Sequence, residues 1–510
     1  MEICQRHSLA GPLAAERMMS TDEKSNLDEA SGFGRYVPLL VFAGTLLLVL
    51  FLPLRIISYG YMPTDDALVD AAKAITGKPW TDILVLRSDY AIDNHIGWHA
   101  LLRGVYLVTH WSDESLMIFS MTMLFALVGW SALPWLKRPE AWLITLTLTL
   151  SLQTPFVNRF MSGRPFLWSM FSLVTILFLW RARGAAPPDK RACATMTGLI
   201  ALAVLLHGVW YFWVMPVAAF LLARQFRWAA ALAACWMAGA MLGAVCTGRP
   251  VVYAMEAWRQ AWDVISLHSS QRTLVGELRA ASGNWFPLLL MGGLLILRQL
   301  AKLPATPWNR QPAFWLAVLG WELGFKTQRF WDDWGLPALM VLLTQDLDMW
   351  LALRLPANSV KRLAVAGGLA LTVFLTATND SDSRWSGSAG TEYLTENDPR
   401  LAGWLPEAGG IFYEADMNFF YHTFFRNPTS PWRYTVGFEP AFMPADDFQT
   451  YQQIVLHYDM PDSYLPWINK MRPQDRLVVF SRSSPSSFLP QLEWQRGVGI
   501  AWLGRVPRKI

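Results

Sequence analysis

Two carboxylates stand side by side at Asp65 and Asp66, in the stretch "MPTDDALVD" (62–70) that directly follows the apolar run "LLVFAGTLLLVLFLPLRIISYGY". The plain reading is a helix cap: Thr64 or Asp65 accepts the orphan N–H groups of the next helix and favours the positive end of its dipole. One acid suffices for that. Two neighbouring acids repel one another, and the repulsion can raise one pKa toward that of a working general base, the group that takes a proton from an attacking hydroxyl.

Cations that suit a phosphate come later in the chain. Arg159 and Arg164 lie in "NRFMSGRPFLWSM" (158–170), and Lys326 and Arg329 in "KTQRFWDDW" (326–334). A guanidinium fork binds phosphate in two places at once. The alternatives are headgroup anchoring for Arg159 and Arg164, and an internal ion-pair set of Lys326 and Arg329 with Asp332 and Asp333. His95 and His99 in "DNHIGWHALL" (93–102) are spaced i, i+4 with Asp93 nearby, so they can share a helical face and ligate a metal. The sequence offers no clear third ligand, so no metal site is assigned. His207 interrupts the apolar hairpin "LLHGVWYFWVMP" (205–216), a functional candidate by its depth or a structural histidine bound to a backbone carbonyl.

The elements that must position these groups are apolar. The chain has 510 residues, of which 53% are hydrophobic and 16% charged, with 27 Trp, well short of the roughly 25% charged share of soluble domains. This composition describes a polytopic α-helical membrane protein. The net charge of +4 is small and no basic block carries interleaved aromatics, which argues against nucleic acid as a partner. The four cysteines, Cys4, Cys193, Cys235 and Cys246, form neither a disulfide framework nor a metal-type spacing.

Hydropathy predicts about eleven spans, several shorter than the roughly 20 residues of a standard crossing: 37–58, 115–136, 141–157, 165–181, 193–207, 209–223, 228–246, 285–300, 311–325, 335–353 and 361–377. The loops "KRPE", "RARGAAPPDKR", "RQFR", "RQLAKLPATPWNR" and "LRLPANSVKR" are all basic and alternate with the others, so they are expected in the cytoplasm. A cytoplasmic tail 1–36 then precedes a transmembrane domain 37–377. Its outward segment 59–114 has helical periodicity and is expected to lie along the membrane surface as amphipathic helices. Trp258 and Trp262 share a face of a second amphipathic outward helix within 247–284, where interfacial anchoring is the simplest role. Residues 378–510 change composition sharply. Short runs such as "GIFYEA", "RYTVGF", "RLVVF" and "GIAWLG" predict a small extracytoplasmic α/β domain, with Tyr413, Trp432 and Tyr434 as core residues or, alternatively, as sugar-stacking platforms.

An inside N-terminus, an outward loop opening on "TDDALVD", many short spans and a C-terminal outer domain together resemble the GT-C superfamily of integral-membrane glycosyltransferases. The closest resemblance is to polyprenyl-phosphate-sugar-dependent members such as protein O-mannosyltransferases and lipid A aminoarabinose transferases. It covers most of 37–377 in layout. It implies that Asp65 or Asp66 is the base, and "QRFWDDWGLPALMVLL" (328–343) maps Arg329 onto a position that meets the carrier phosphate; Arg159, Arg164 and Lys326 are further clamps by their charge and their place on outward loops. The sequence departs from the family in having no His-Pro-Pro-Leu segment and no acid near the outer end of the fourth span, where "GRPF" stands. A divalent metal is therefore compatible with the reading but unsupported by clear ligands.

The expected activity is inverting transfer of a hexose or pentose from a polyprenyl-phosphate sugar lipid. The acceptor is a glycan, lipid or protein on the outer face of a bacterial inner membrane, and membrane lipids surround the protein. Two alternatives stay open: a non-catalytic GT-C-like component of a polysaccharide assembly machine, and a glycan polymerase or ligase using a diphosphate-lipid donor.

Overall fold

The computed structural model describes residues 33–63, 65–90, 92–152, 154–184, 186–266, 279–280, 285–303, 306–390, 392–457 and 460–507. Each predicted apolar run is helical: α1 (Val37–Ile57), α4 (Asp113–Trp130), α5 (Glu140–Leu152), α7 (Phe166–Arg183), α8 (Lys190–His207), α9 (Val214–Leu222), α10 (Phe226–Cys246), α12 (Phe286–Ala301), α13 (Pro312–Gly324), α14 (Leu336–Arg354) and α15 (Val360–Thr378). Between them lie α2 (Asp66–Thr76), α3 (Ile96–Thr109), α6 (Thr154–Phe160) and α11 (Pro250–Ser266). Among the described residues seven helices are long and apolar enough to cross a membrane, and Glu140–Leu152, Trp210–Leu222 and Phe286–Ala301 are shorter apolar helices. The protein is a polytopic helical membrane protein with a small C-terminal sheet.

The basic loops gather at one end of the bundle. Arg362 Nε donates to Glu140 Oε1 at 2.5 Å in a fully buried pair. The Arg138 backbone N–H donates to Asp348, Arg298 pairs with Asp346, and Gln225 donates to the Arg310 carbonyl. The stretches carrying Asp65, Arg159 and Arg384 meet at the other end, where Met62 N–H donates to Ser388 and Arg384 to Asn158.

Within the segment after α1, α2 is packed inside the protein and not laid along a membrane surface as expected. Seven of the eleven residues of α2, Ala67 to Ala72 and Ala74, are buried. The alanines make a slim helix that α3, α4 and the C-terminal helix α16 (Met417–Arg426) can enclose on all sides. Arg103 donates to the carbonyls of Ala74 and Ile75, tying α3 to the C-terminal end of α2.

The C-terminal sheet has the order β2-β1-β3-β5-β4, built from β1 (Ile411–Tyr413), β2 (Arg433–Tyr434), β3 (Arg476–Phe480), β4 (Glu493–Arg496) and β5 (Ala501–Arg505). β1 runs parallel to β2 and β3, while β5 is antiparallel to β3 and β4. Strand alternation gives it two faces. Phe412, Tyr434 and Val478 join the core of the helical bundle, whereas Ile411, Tyr413, Leu477 and Val479 pack with Tyr451 and Trp467 of α17 (Ala445–Leu456) and α18 (Leu465–Lys470). Leu84 extends the β2 edge through a parallel bridge to Tyr434, so the sheet is joined to the segment between α2 and α3. Tyr413, Trp432 and Tyr434 are at most 3% exposed and belong to the core.

Candidate functional site

Asp65 is the N-cap of α2, in extended conformation, and its Oδ1 accepts the Asp66 backbone N–H at 2.7 Å. Capping is therefore one part of its role; Thr64 lies outside the described residues. The same Oδ1 lies 2.6 Å from Arg164 Nε, which also stands 3.6 Å from Asp66 Oδ2. Gly163 makes this approach feasible. Its φ of +67° suits glycine, and a Cβ there would stand 2.6 Å from the Ala67 Cβ. The Ser162 carbonyl accepts the Ala67 N–H, which fixes the loop against the start of α2.

Arg159, five residues earlier, turns to a different acid. Its Nε and Nη2 donate to Asp333 Oδ1 at 2.8 and 2.5 Å, its guanidinium covers the Phe166 ring, and Arg329 Nε donates to Asp333 Oδ2 at 3.2 Å. Asp333 sits in the π-helical turn Trp331–Gly335 that leads into α14. Such turns widen a helix and reorient its side chains. Two guanidinium groups thus converge on one carboxylate. The expected ion-pair set around Asp333 forms through Arg329, with Arg159 as its second cation. Lys326 is exposed and makes no ion pair among the described residues.

A third cluster lies one turn along α2 from Asp66. His99 is clasped between two acids, with Nε2 at 2.7 Å from Asp70 Oδ1 and Nδ1 at 2.5 Å from Asp93 Oδ2. Burial opposes charge on this imidazole, but Asp93 and the hydrogen bonds to both carboxylates outweigh it and lift its pKa to about 10. Burial pushes the Asp70 carboxyl above the usual range against the pull of the same hydrogen bond. It would raise Asp93 too, yet the charge and hydrogen bond of His99 hold Asp93 low.

His95 caps the start of α3 beside this clasp, its ring 6.1 Å from His99 and 5.7 Å from His207. Burial takes it down to about 4; Asp70 and Asp93 oppose that, while the charges of His99 and Arg329 reinforce it, which leaves a neutral imidazole. The loop before it is held by Tyr253, whose hydroxyl lies 3.0 Å from the Asn94 carbonyl. Gly97 lets α3 approach α8 where a Cβ would meet Leu205. His207 ends α8, and its Nδ1 faces the Ser169 hydroxyl at 3.3 Å rather than a backbone carbonyl.

Asp65, Asp66 and Arg164 therefore come together directly, as do Arg159 and Arg329 through Asp333, while the three histidines lie side by side. A cleft of about 1240 Å³ is lined by Arg55, Tyr59, Asn158, Asp380 and Arg384, and by none of the acids, arginines and histidines just described. Sequence reasoning passed over Asp70 as a functional residue. The i, i+4 spacing of Asp66 and Asp70 was a usable signal, since it sets both acids on one face of α2. Trp258 and Trp262 are exposed and stacked on α11, with ring centroids 6.4 Å apart, as an interfacial anchor requires; residues 267–278 and 281–284 of that predicted helix lie outside the described residues. Comparison of the chain with protein-family models and with curated proteins gives no match.

Proposed function

We propose that the protein is a GT-C-type membrane glycosyltransferase that moves a sugar from a polyprenyl-phosphate carrier to an acceptor hydroxyl on the outer face of a bacterial inner membrane. In this reading the bundle crosses eleven times, with its basic end in the cytoplasm. The observation that carries the proposal is the meeting of Asp65, Asp66 and Arg164 at the mouth of α2. A sugar esterified to a lipid phosphate already carries a good leaving group. The protein must then take a proton from the attacking hydroxyl and steady the charge of the departing phosphate.

The two acids divide the work unequally. Asp65 is occupied by the cap and by Arg164. Asp66 leaves the capping to Asp65 and stands further from Arg164, which makes it the better base. Arg164 and the Arg159–Arg329 pair supply guanidinium groups for the phosphate. Attack from the face opposite the phosphate inverts the anomeric carbon.

A second reading draws on the same ion pairs. Arg159, Arg164 and Arg329 all have carboxylate partners, as expected of a non-catalytic component of an assembly machine. Transfer of radiolabelled sugar from extracted polyprenyl-phosphate donors separates the two readings. Loss of transfer in Asp66→Asn with folding and donor binding intact supports the enzyme, and inert wild type across a broad donor panel supports the scaffold.

A further inference from the structure

We propose that Asp70, His95 and His99 form a binding site for one divalent metal ion of the zinc class, with Asp93 orienting His99 from behind. This inference does not depend on the glycosyltransferase reading.

The geometry has three parts. One ligand atom each from Asp70, His95 and His99 lies within 4.8 Å of the other two. Ligand atoms around a tetrahedral zinc are about 3.3 Å apart, as bonds of about 2.0–2.2 Å require. The proton between His99 Nε2 and Asp70 must therefore leave to solvent as the ion takes its place, the pair opening slightly while His95 closes in. His95 is free to do so, being half-buried and making no side-chain hydrogen bond among the described residues. Next, Asp70 is 2% exposed, yet its Oδ2 has no hydrogen-bond partner among the described residues. A buried carboxylate oxygen without a partner is costly, and a cation bound there would remove that cost.

The third part is Asp93. Metal-bound histidines commonly donate their second ring N–H to a carboxylate, which fixes the tautomer and strengthens the ligand. His99 already offers Nε2 toward Asp70 and gives Nδ1 to Asp93 at 2.5 Å. Two imidazoles and one carboxylate select a borderline transition ion over magnesium or calcium, which prefer oxygen ligands. Three protein ligands also leave a coordination position open. Asp66 and Asp70 are one turn apart on α2, about 6 Å along the helix axis, so the proposed site neighbours the acid pair.

The test uses the full chain in detergent, stripped with a chelator and then titrated with Zn²⁺ or with Co²⁺, whose visible absorption reports nitrogen ligation. Wild type should bind one Zn²⁺ per chain and give the Co²⁺ spectrum of an imidazole-ligated site. His95→Gln and Asp70→Asn should each weaken binding at least tenfold, and Asp93→Asn by about 10–100-fold. His95→Gln breaks no hydrogen bond, so its metal-free melting temperature should match wild type. The proposal is overturned if wild type holds no more Zn²⁺ than these variants, or if its Co²⁺ complex lacks imidazole ligation, a result that needs no variant to fold. Metal binding is read without any sugar donor, so its failure leaves the proposed transfer untouched and the converse also holds.

Discussion

Arg164 Nε lies 2.6 Å from Asp65 Oδ1 and 3.6 Å from Asp66 Oδ2, so one guanidinium spans two acids that do different things. Asp65 closes the end of α2, and Asp66, the first residue of that helix, stands further from the guanidinium. Asp66→Asn should lower transfer by about 10²–10⁴-fold, the usual worth of a positioned base, with little change in melting temperature. Asp65→Asn should lower both, since it keeps the capping oxygen but removes the charge that holds Arg164 and favours the helix dipole. Transfer assays and thermal melts on the two proteins decide the division; equal losses of activity at equal stability would refute it.

Arg329 and Arg159 are not equivalent, although both reach Asp333. Arg329 is about a third exposed and donates once, whereas Arg159 is mostly buried and donates twice to the same oxygen. Arg329→Ala should chiefly raise the KM for the lipid donor. Asp333→Asn should destabilise the fold, because it leaves two guanidinium groups without their shared counter-charge. Donor titration of the first variant and melting of the second test this.

Helices were legible in the sequence because hydropathy is local: every predicted apolar run forms one. The alternation of basic loops was legible for the same reason, and contacts such as Arg362–Glu140 and Gln225–Arg310 join those loops at one end of the bundle. The site was half legible. Asp65, Asp66 and the arginines stand out by type, and spacing sets Asp70 on the face of Asp66, but its pairing with His99, 29 residues away, is a contact that no local pattern shows. The burial of α2 was also hidden, since its amphipathic pattern does not say whether a membrane or another helix covers it. In the C-terminal part β4 escaped notice because "EWQR" is a charged edge strand, and α16 because its aromatics are buried on most sides.

Gly163 tests how closely the loop must approach α2. Gly163→Ala introduces a Cβ against Ala67 at a positive φ, and should cost about 1–3 kcal/mol. Arg164 would be carried away with the loop. The expected result is a lower melting temperature together with reduced transfer, whereas Gly184→Ala, at a positive φ with nothing within 4 Å, should lower stability slightly and leave transfer per folded molecule unchanged.

Glu140 and Arg362 form a fully buried pair at the opposite end of the bundle. Glu140→Gln leaves the guanidinium without its counter-charge and should cost about 3–5 kcal/mol. Activity per folded molecule should be retained, since neither residue is near the acid pair. A loss of transfer in protein shown to be folded would mean that the two ends are coupled.

Glu414, directly after β1, gives the C-terminal part a pH dependence of its own. It is fully buried, its Oε1 accepts the Val436 N–H, and its Oε2 has no hydrogen-bond partner among the described residues. Burial pushes its pKa well above the ordinary carboxylate value, against the hydrogen bonds from the backbone. The folded chain therefore keeps a proton that the unfolded chain has released above its ordinary pKa near 4.5. In that window stability falls as pH rises, by up to about 1.4 kcal/mol per pH unit for one proton. The fall stops once pH passes the raised folded value, and below the ordinary value the contribution is constant. Glu414→Gln keeps the acceptor for Val436 and removes the proton, so its melting temperature should fall less steeply than that of wild type from mildly acidic to mildly basic pH. Parallel melting curves for the two proteins across that range would show that Glu414 ionises normally in the folded chain.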